Sequence, residues 1–567
     1  MNARKFFKKK YQRKTEIDPD EIFLDSENIP GFDIYQMEGR IERPIAKRAL
    51  VALSFFFAAV SVIFILRAFT LQVYRGQAYF DISQNNSLKH EPVFAERGII
   101  YDRNLLELAW NGEHKEGEPF PGRLYRFPGF AHLLGYVNYP ARDSSGFYWN
   151  TEFVGRSGAE KDFNSILRGQ NGMSILEVNA LNEVQSDNFF SPAINGDNLV
   201  LSVDARVQEK LNTLIEEYAR ISSFTGGAGV IMDIHSGEIL SLTSVPEYDS
   251  HILSTGSDQE SINKYLTDRR KIFLNRAIQG LYNPGSTIKP FIAFGVLNEH
   301  IIDPLKKILS TGSISIPNPY KPDEPYIFKD FKPRGWVDLK QAIAVSSNVY
   351  FYVVGGGYQG QKGIGISNIK KYTELFGLGA KTGVDLIGEE SGVVPDPEWK
   401  EKNFPGESWR LGDTYHTAIG QYGFQVTPIQ MARAAAAIAN KGDLVIPTIL
   451  KTDNPGAIER HIDLPIEDFN FIHESMREVV LSGSGQSLAY LPVKVAAKTG
   501  TAETGPNNKY THSWIIGFFP FENPRYSFTI TMERSSSEAM GTATAIARDL
   551  FDWMKIYTPE YFQSSQN

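Results

Sequence analysis

Along the chain, hydrophobic and polar positions fall into four successive patterns. Acids, Pro19, Pro30 and Gly31 interleave through residues 15–45 without a sustained apolar period, which predicts a disordered tail. Ala49 to Leu66 (ALVALSFFFAAVSVIFIL) then runs 18 residues without a charge, the lower end of what a helix needs to cross a bilayer. About 130 residues of short β-like runs and turn formers follow, among them Arg97-Gly-Ile-Ile-Tyr-Asp-Arg103 and Ser174-Ile-Leu-Glu-Val178, and these read as a spacer domain. From Asn198 strands alternate with helices. The pattern gives a strand over Leu199–Val203, a helix from Ala205 to Arg220, and strands Ala228–Ile234 and Glu238–Thr243 around a His235-Ser236-Gly237 turn. An α/β or α+β domain is therefore expected to the C-terminus, and no fixed-period repeat suggests a solenoid. The boundaries are a tail (1–48), an anchor (49–69), a pedestal (70–197), the main domain (198–560) and a short tail (561–567).

Charge gives the apolar run a direction. Arg40, Arg43, Lys47 and Arg48 crowd its upstream flank behind a basic cluster at Arg4, Lys5, Lys8, Lys9 and Lys10, whereas Arg67 and Arg75 are sparse afterwards. The positive-inside rule then places residues 1–48 in the cytoplasm and everything after about residue 70 outside. The run is longer than a usual signal-peptide core and lies behind a long polar stretch, so an uncleaved anchor is expected. A formal net charge of −8 over 567 residues argues against nucleic-acid binding. The chain has no cysteine, which excludes disulfides, thiolate zinc sites and cysteine nucleophiles.

Candidate chemistry centres on Pro284-Gly-Ser-Thr-Ile-Lys-Pro290. Ser286 and Lys289 stand three apart, on one helix face, where an amine can take the proton of a hydroxyl. Pro290 is harmless only in a first helical turn, so a helix should start near Ser286 and bring its backbone N–H groups to an oxyanion formed there. Ser-x-x-Lys alone carries no weight. Ser261-Ile-Asn-Lys264 also fits it, lacks the Pro-Gly lead-in and the following apolar face, and reads as a surface turn. Ser346-Ser-Asn348 is weak in isolation. Lys-Thr-Gly occurs twice, at Lys381 in an apparent loop and at Lys498, where Val493–Ala497 and Ser513–Phe519 flank it as a strand pair.

Together and in this order, Ser286-x-x-Lys289, Ser346-x-Asn348 and Lys498-Thr499-Gly500 resemble the signature motifs of penicillin-binding proteins and serine β-lactamases. Arg97-Gly-x-Ile-x-Asp-Arg103, Asn275-Arg-Ala277, Gly412-Asp-Thr414, Ala418-Ile-Gly-Gln421 with Thr427-Pro428, and Lys498-Thr-Gly-Thr-Ala502 extend the likeness to class B penicillin-binding proteins. The wording around Ser286 and in Gly-Asp-Thr…Ile-Gly-Gln is closer to elongation-type than to division-type members. The resemblance implies an α+β transpeptidase domain of penicillin-binding/β-lactamase type on an N-terminal pedestal with a single transmembrane helix. It implies an enzyme that binds β-lactams and cross-links peptidoglycan stem peptides ending in D-Ala-D-Ala. Ser286 would be the nucleophile and Lys289 its general base. Ser346 and Lys498 would relay the proton to the leaving amine, and Asn348 would hold the acyl side chain and Lys289. Thr499, Gly500 and Thr501 would line the strand that binds the terminal carboxylate, with the N–H groups of Ser286 and Thr501 as the oxyanion hole. No cofactor is implied.

Only about 28 residues separate Arg103 from His132-Leu-Leu-Gly-Tyr136, so the pedestal looks shortened. Some elongation enzymes carry a cysteine-containing metal site, and none of that type is expected here. His132, His416 and His512 read as structural or surface residues. No glycosyltransferase motif is seen, so the resemblance implies a membrane polymerase partner of the shape, elongation and division (SEDS) type. A β-lactam sensor and a hydrolase (carboxypeptidase or β-lactamase) are competing readings, disfavoured by the featureless tail and by the pedestal and anchor respectively.

Overall fold

The computed structural model describes residues 46–80, 88–178, 184–318, 321–452, 456–536, 539 and 541–563. The tail expected over residues 15–45 lies outside the described residues. Contacts divide the chain into two units, one holding the N-terminal segment to Lys89 and the other nearly all that follows.

In the first unit, helix α1 (Lys47–Phe69) continues through a π-helical turn to Tyr74. None of its residues is buried, and the helix is long and apolar enough to cross a membrane. An uninterrupted apolar surface all round is what a bilayer rewards and water does not.

In the second unit, the pedestal contains β1 (Ile100–Tyr101), β2 (Glu107–Asn111) and β3 (Arg123–Tyr125), joined by β4 (Leu199–Val200) in a sheet ordered β4-β1-β2-β3. The expected strand over Arg97–Arg103 contracts to two residues because its flanks are committed elsewhere. Arg97 reaches sideways to Glu160, at 2.5 Å, and a Cβ on Gly98 would lie 1.9 Å from the Asp197 carbonyl. Glu160, on the short helix α2 (Gly158–Asp162), also takes Arg123 at 2.8 Å, and all three side chains are buried. Burial raises the Glu160 carboxyl, but Arg123 and Arg97 outweigh it and hold the group below its usual range. Asp102 closes the β1–β2 turn by accepting from the N–H groups of Asn104 and Leu106, and its second oxygen accepts from Ala205 N–H. The expected strand Leu199–Val203 is likewise short, because from Leu201 the chain changes partner to Ile449 and Leu450.

The main domain opens with α3 (Ala205–Ile221), capped by the Asp204 carboxylate. Strands β5 (Gly226–Asp233) and β6 (Ile239–Val245) come next, then α4 (Lys289–Asn298), β7 (Ile308–Ser310) and β8 (Gly335–Val337). Helices α5 (Leu339–Ala344), α6 (Asn348–Gly356), α7 (Pro428–Ala439) and α8 (Ile466–Leu481) lead to β9 (Ala496–Thr504), β10 (Tyr510–Phe519), β11 (Tyr526–Ser536) and α9 (Thr542–Tyr557). The central sheet is antiparallel and ordered β6-β5-β11-β10-β9, so β9 is an edge. Its alternating side chains feed two cores. Ile231, Ile515 and Phe528 pack with Leu211 of α3 and Phe551 of α9, whereas Val230, Met232, Ile516 and Phe518 face Met431 and Ala435 of α7. Every residue of α7 is buried, which its run of alanines permits by letting neighbours approach on all sides.

One expectation fails outright. Ser261 and Lys264 lie on an exposed helix, Gln259–Thr267, rather than on a turn, because the Asp258 carboxylate caps its start by accepting from Ser261 N–H.

Candidate active site

Ser286 occupies a 3₁₀ turn, Gly285–Ile288, that runs directly into α4. The α-helix thus begins at Lys289, not at Ser286, but residues three apart eclipse in a 3₁₀ turn, so hydroxyl and amine still share a face. Gly285 has φ +55°, and a Cβ there would lie 2.7 Å from the Thr501 carbonyl. Its N–H donates to the Gly420 carbonyl at 3.0 Å. Gly420 itself has φ +76°, with only 2.2 Å between a built Cβ and the Gly285 carbonyl. The Pro-Gly-Ser and Ile-Gly-Gln phrases are therefore two sides of one close backbone approach. On the far side, Trp514 Nε1 donates to the Asn283 carbonyl at 3.0 Å, and a Cβ on Gly500 would meet Thr287 Cγ2 at 2.7 Å. The nucleophile turn is wedged against β9 and β10.

Lys289 is fully buried. Its Nζ donates to the Ser346 carbonyl at 2.9 Å and to Asn348 Oδ1 at 2.8 Å, with Ser346 Oγ at 3.4 Å. Burial draws the amine down to about 7; the Asp330 carboxylate opposes this and the Arg334 guanidinium adds to it. Lys498, equally buried, donates from Nζ to Ser346 Oγ at 3.0 Å and to the Thr499 carbonyl at 2.8 Å. Burial first, then the charges of Lys289 and Arg334, hold it well below the usual lysine range. One serine hydroxyl thus stands between two amines.

Ser346 reaches that position in the left-handed region, at φ +58°, between α5 and α6. Ser347 caps α6, its Oγ accepting from Tyr350 N–H, and Asp330 fixes the same turn. Asp330 Oδ2 accepts from Ser347 Oγ at 3.0 Å, Asn348 N–H at 2.8 Å and Val349 N–H at 3.2 Å. On β9, Thr499 Oγ1 shares a 2.5 Å hydrogen bond with Ser484 Oγ, and Thr501 stands half-buried on the edge.

The structure brings Ser286, Lys289, Ser346, Asn348, Lys498, Thr499, Gly500 and Thr501 together from segments more than 200 residues apart. It adds Asp330, Arg334 and Ser484, which no sequence motif marked. The other Lys-Thr-Gly, at Lys381, is a turn in which Thr382 donates from its N–H and its hydroxyl to Glu389, each at 2.6 Å. His132 and His512 are buried, each drawn down to about 4 chiefly by burial, which removes the surface alternative for both. Among the described residues no cluster of His, Asp or Glu is arranged to hold a metal.

Residues 227–552 match the penicillin binding protein transpeptidase domain, and residues 117–201 match the penicillin-binding protein dimerisation domain. The chain belongs to the penicillin-binding protein transpeptidase family. Within it, the chain is similar to class B proteins of the penicillin-binding protein 2 type. It is 27% identical to the peptidoglycan D,D-transpeptidase MrdA of Acinetobacter baumannii, over 85% of this chain and 84% of that one. Among solved structures it is similar to penicillin-binding protein 2 of Helicobacter pylori in complex with MreC (26% identity, TM-score 0.68, covering 83% of this chain and 100% of that one). It is also similar to Pseudomonas aeruginosa PBP2 in complex with WCK 5153 (27% identity, TM-score 0.65, covering 82% and 97%).

Proposed function

We propose that this chain is a membrane-anchored serine D,D-transpeptidase that cross-links peptidoglycan stem peptides during wall elongation. The observation that carries the reading is the Ser346 hydroxyl held between two buried, pKa-depressed lysines beside the Ser286 turn. A lysine near 7 can be neutral at working pH and accept a proton, whereas an ordinary lysine is protonated.

Ser286 Oγ attacks the carbonyl of the penultimate D-Ala, and its proton passes to Lys289. The oxyanion is received by the N–H groups of Ser286 and Thr501. Collapse expels terminal D-Ala, whose amine takes its proton through Ser346 from Lys498, leaving a Ser286 ester. The amine of a neighbouring stem peptide attacks the ester and frees the serine. Asn348 orients Lys289 and the acyl chain, and Thr499, Gly500 and Thr501 align the donor peptide along β9. β-Lactams would enter by the same first step and remain as the ester.

The tail 1–48 is assigned to the cytoplasm and the pedestal (70–197) and catalytic domain (198–560) to the outside, supported by the basic flank of α1. The Helicobacter relative was solved with MreC, which makes an MreC-like scaffold a candidate partner. A SEDS-type glycosyltransferase would supply the glycan, and adjacent membrane helices would raise its effective concentration. The test is intact-mass measurement and peptide mapping after incubation with penicillin. A single adduct on Ser286 is expected; an adduct on Ser261 or Ser347 sinks the assignment.

A further inference from the structure

We propose that Arg334 is a specificity-determining residue whose guanidinium receives a carboxylate of the donor stem peptide beside the Ser346 turn. This rests on the transpeptidase reading above.

The segment from Asp330 to Arg334 is held at both ends. Asp330 N–H donates to the Gly312 carbonyl at 2.8 Å, and Arg334 N–H donates to the Ser310 carbonyl at 2.9 Å. Arg334 then enters β8, whose Gly335 pairs with Ser310 of β7. Ser310 Oγ lies 3.0 Å from Ser347 Oγ, one residue from the hydroxyl that the two lysines share. The two charges on this segment have different fates. Asp330 is spent inward: Oδ2 takes the α6 start and Oδ1 accepts from Phe331 N–H at 2.8 Å. Arg334 is not spent. It is half-buried, its Nε is enclosed without a hydrogen-bond partner, and it forms no ion pair among the described residues.

A half-buried guanidinium with one enclosed, unpaired N–H and no ion pair is stabilised by an anion at its remaining N–H groups. The Arg334 backbone is tied to Ser310, whose hydroxyl meets Ser347 next to the Ser346 turn, and its charge lowers both Lys289 and Lys498. Asp330 turns to the donors at the start of α6 and forms no ion pair with Arg334, so the guanidinium is left without a protein anion among the described residues. A ligand bearing a carboxylate supplies that anion and can be gripped by two parallel N–H bonds, which a lysine cannot offer. The stem peptide carries such groups at its terminus and upstream of the scissile bond.

The experiment compares kcat and KM for three synthetic donor pentapeptides: free acid, terminally amidated, and amidated at the upstream carboxylate. For Arg334→Ala, KM for the free acid should rise about tenfold or more with kcat little changed. One amidated peptide should be bound equally by wild type and variant, and its identity names the carboxylate. Arg334→Lys should recover part of the loss. If the alanine variant fails to fold, Arg334→Gln carries the same comparison. Equal losses for all three peptides, or a displaced pH profile without discrimination among them, overturns the inference. Absence of a penicillin adduct on wild-type Ser286 instead overturns the reading beneath it.

Discussion

Two ammonium groups in one dry pocket repel each other, and at the Ser346 hydroxyl the protein arranges for at least one of them to be neutral near pH 7. The acylation rate should therefore climb with pH through about 7 and level off above it, since the competent form has unprotonated Lys289. Stopped-flow acylation across pH 5.5 to about 9 would check this; a rate flat in pH would assign the base elsewhere. Lys289→Met should lower acylation roughly 10²-fold or more, because a general base is lost. The same change should stabilise the fold at neutral pH. The native amine titrates near 7 and the unfolded one near 10.5, so between those values the unfolded chain binds the extra proton and stability rises with pH. Urea unfolding of wild type and Lys289→Met at pH 7 and 10 should show the variant gaining at the lower pH and losing part of that slope, the remainder belonging to Lys498. Ser286, Lys289, Ser346, Asn348 and Lys498 were legible in sequence because each pair or triplet is local and the three stand in a fixed order. Asp330, Arg334 and Ser484 were not, because each meets the site only through tertiary packing of a segment without periodic pattern.

At the level of elements, the nucleophile turn and the Ile-Gly-Gln loop depend on each other. Gly420→Ala would place a methyl group inside contact distance of the Gly285 carbonyl at positive φ, and should cost about 1–3 kcal/mol. Acylation should fall as well, because Gly285 is the residue before Ser286; unchanged melting and acylation would mean that the approach is looser than described. In the pedestal, Glu160→Ala would leave Arg97 and Arg123 buried without their anion and should cost about 3–5 kcal/mol, read by denaturant unfolding. Arg97 was visible only as a letter in a phrase; its role depends on Glu160, which lies 63 residues away. Helix α3 was readable to within a few residues because its apolar period is regular, and strands β5 and β6 because each is a buried run bounded by the His235-Ser236-Gly237 turn. The hairpins around β7 and β8 were not, since these strands are three residues long, too short for alternation to register. The helix at Ser261 was missed because it is only nine residues long and its capping Asp258 lies outside the apparent motif.

For the whole molecule, the proposed topology expects a reporter joined at residue 30 to be cytoplasmic and one joined after residue 560 to be outside. Protease treatment of spheroplasts that spares the catalytic domain would reverse that assignment. Pedestal and catalytic domain are also laced together through the turn Pro559–Tyr561. Tyr561 Oη donates to Asp204 Oδ2 at 2.6 Å, Asn104 of the pedestal donates to the same oxygen at 3.0 Å, and Arg103 pairs with Glu238 at 3.1 Å. The sheet order sharpens the point, because β5 takes as its inner neighbour β11, with Gly226 opposite Glu533. The ribosome makes β5 about 300 residues before its partner β11. Until β11 is made, β5 and β6 have α3 on one face but an open strand edge where β11 belongs, a state prone to aggregation and proteolysis. Closure of the central sheet therefore waits on β11, and chains truncated before Tyr526 should be degraded or aggregate rather than accumulate.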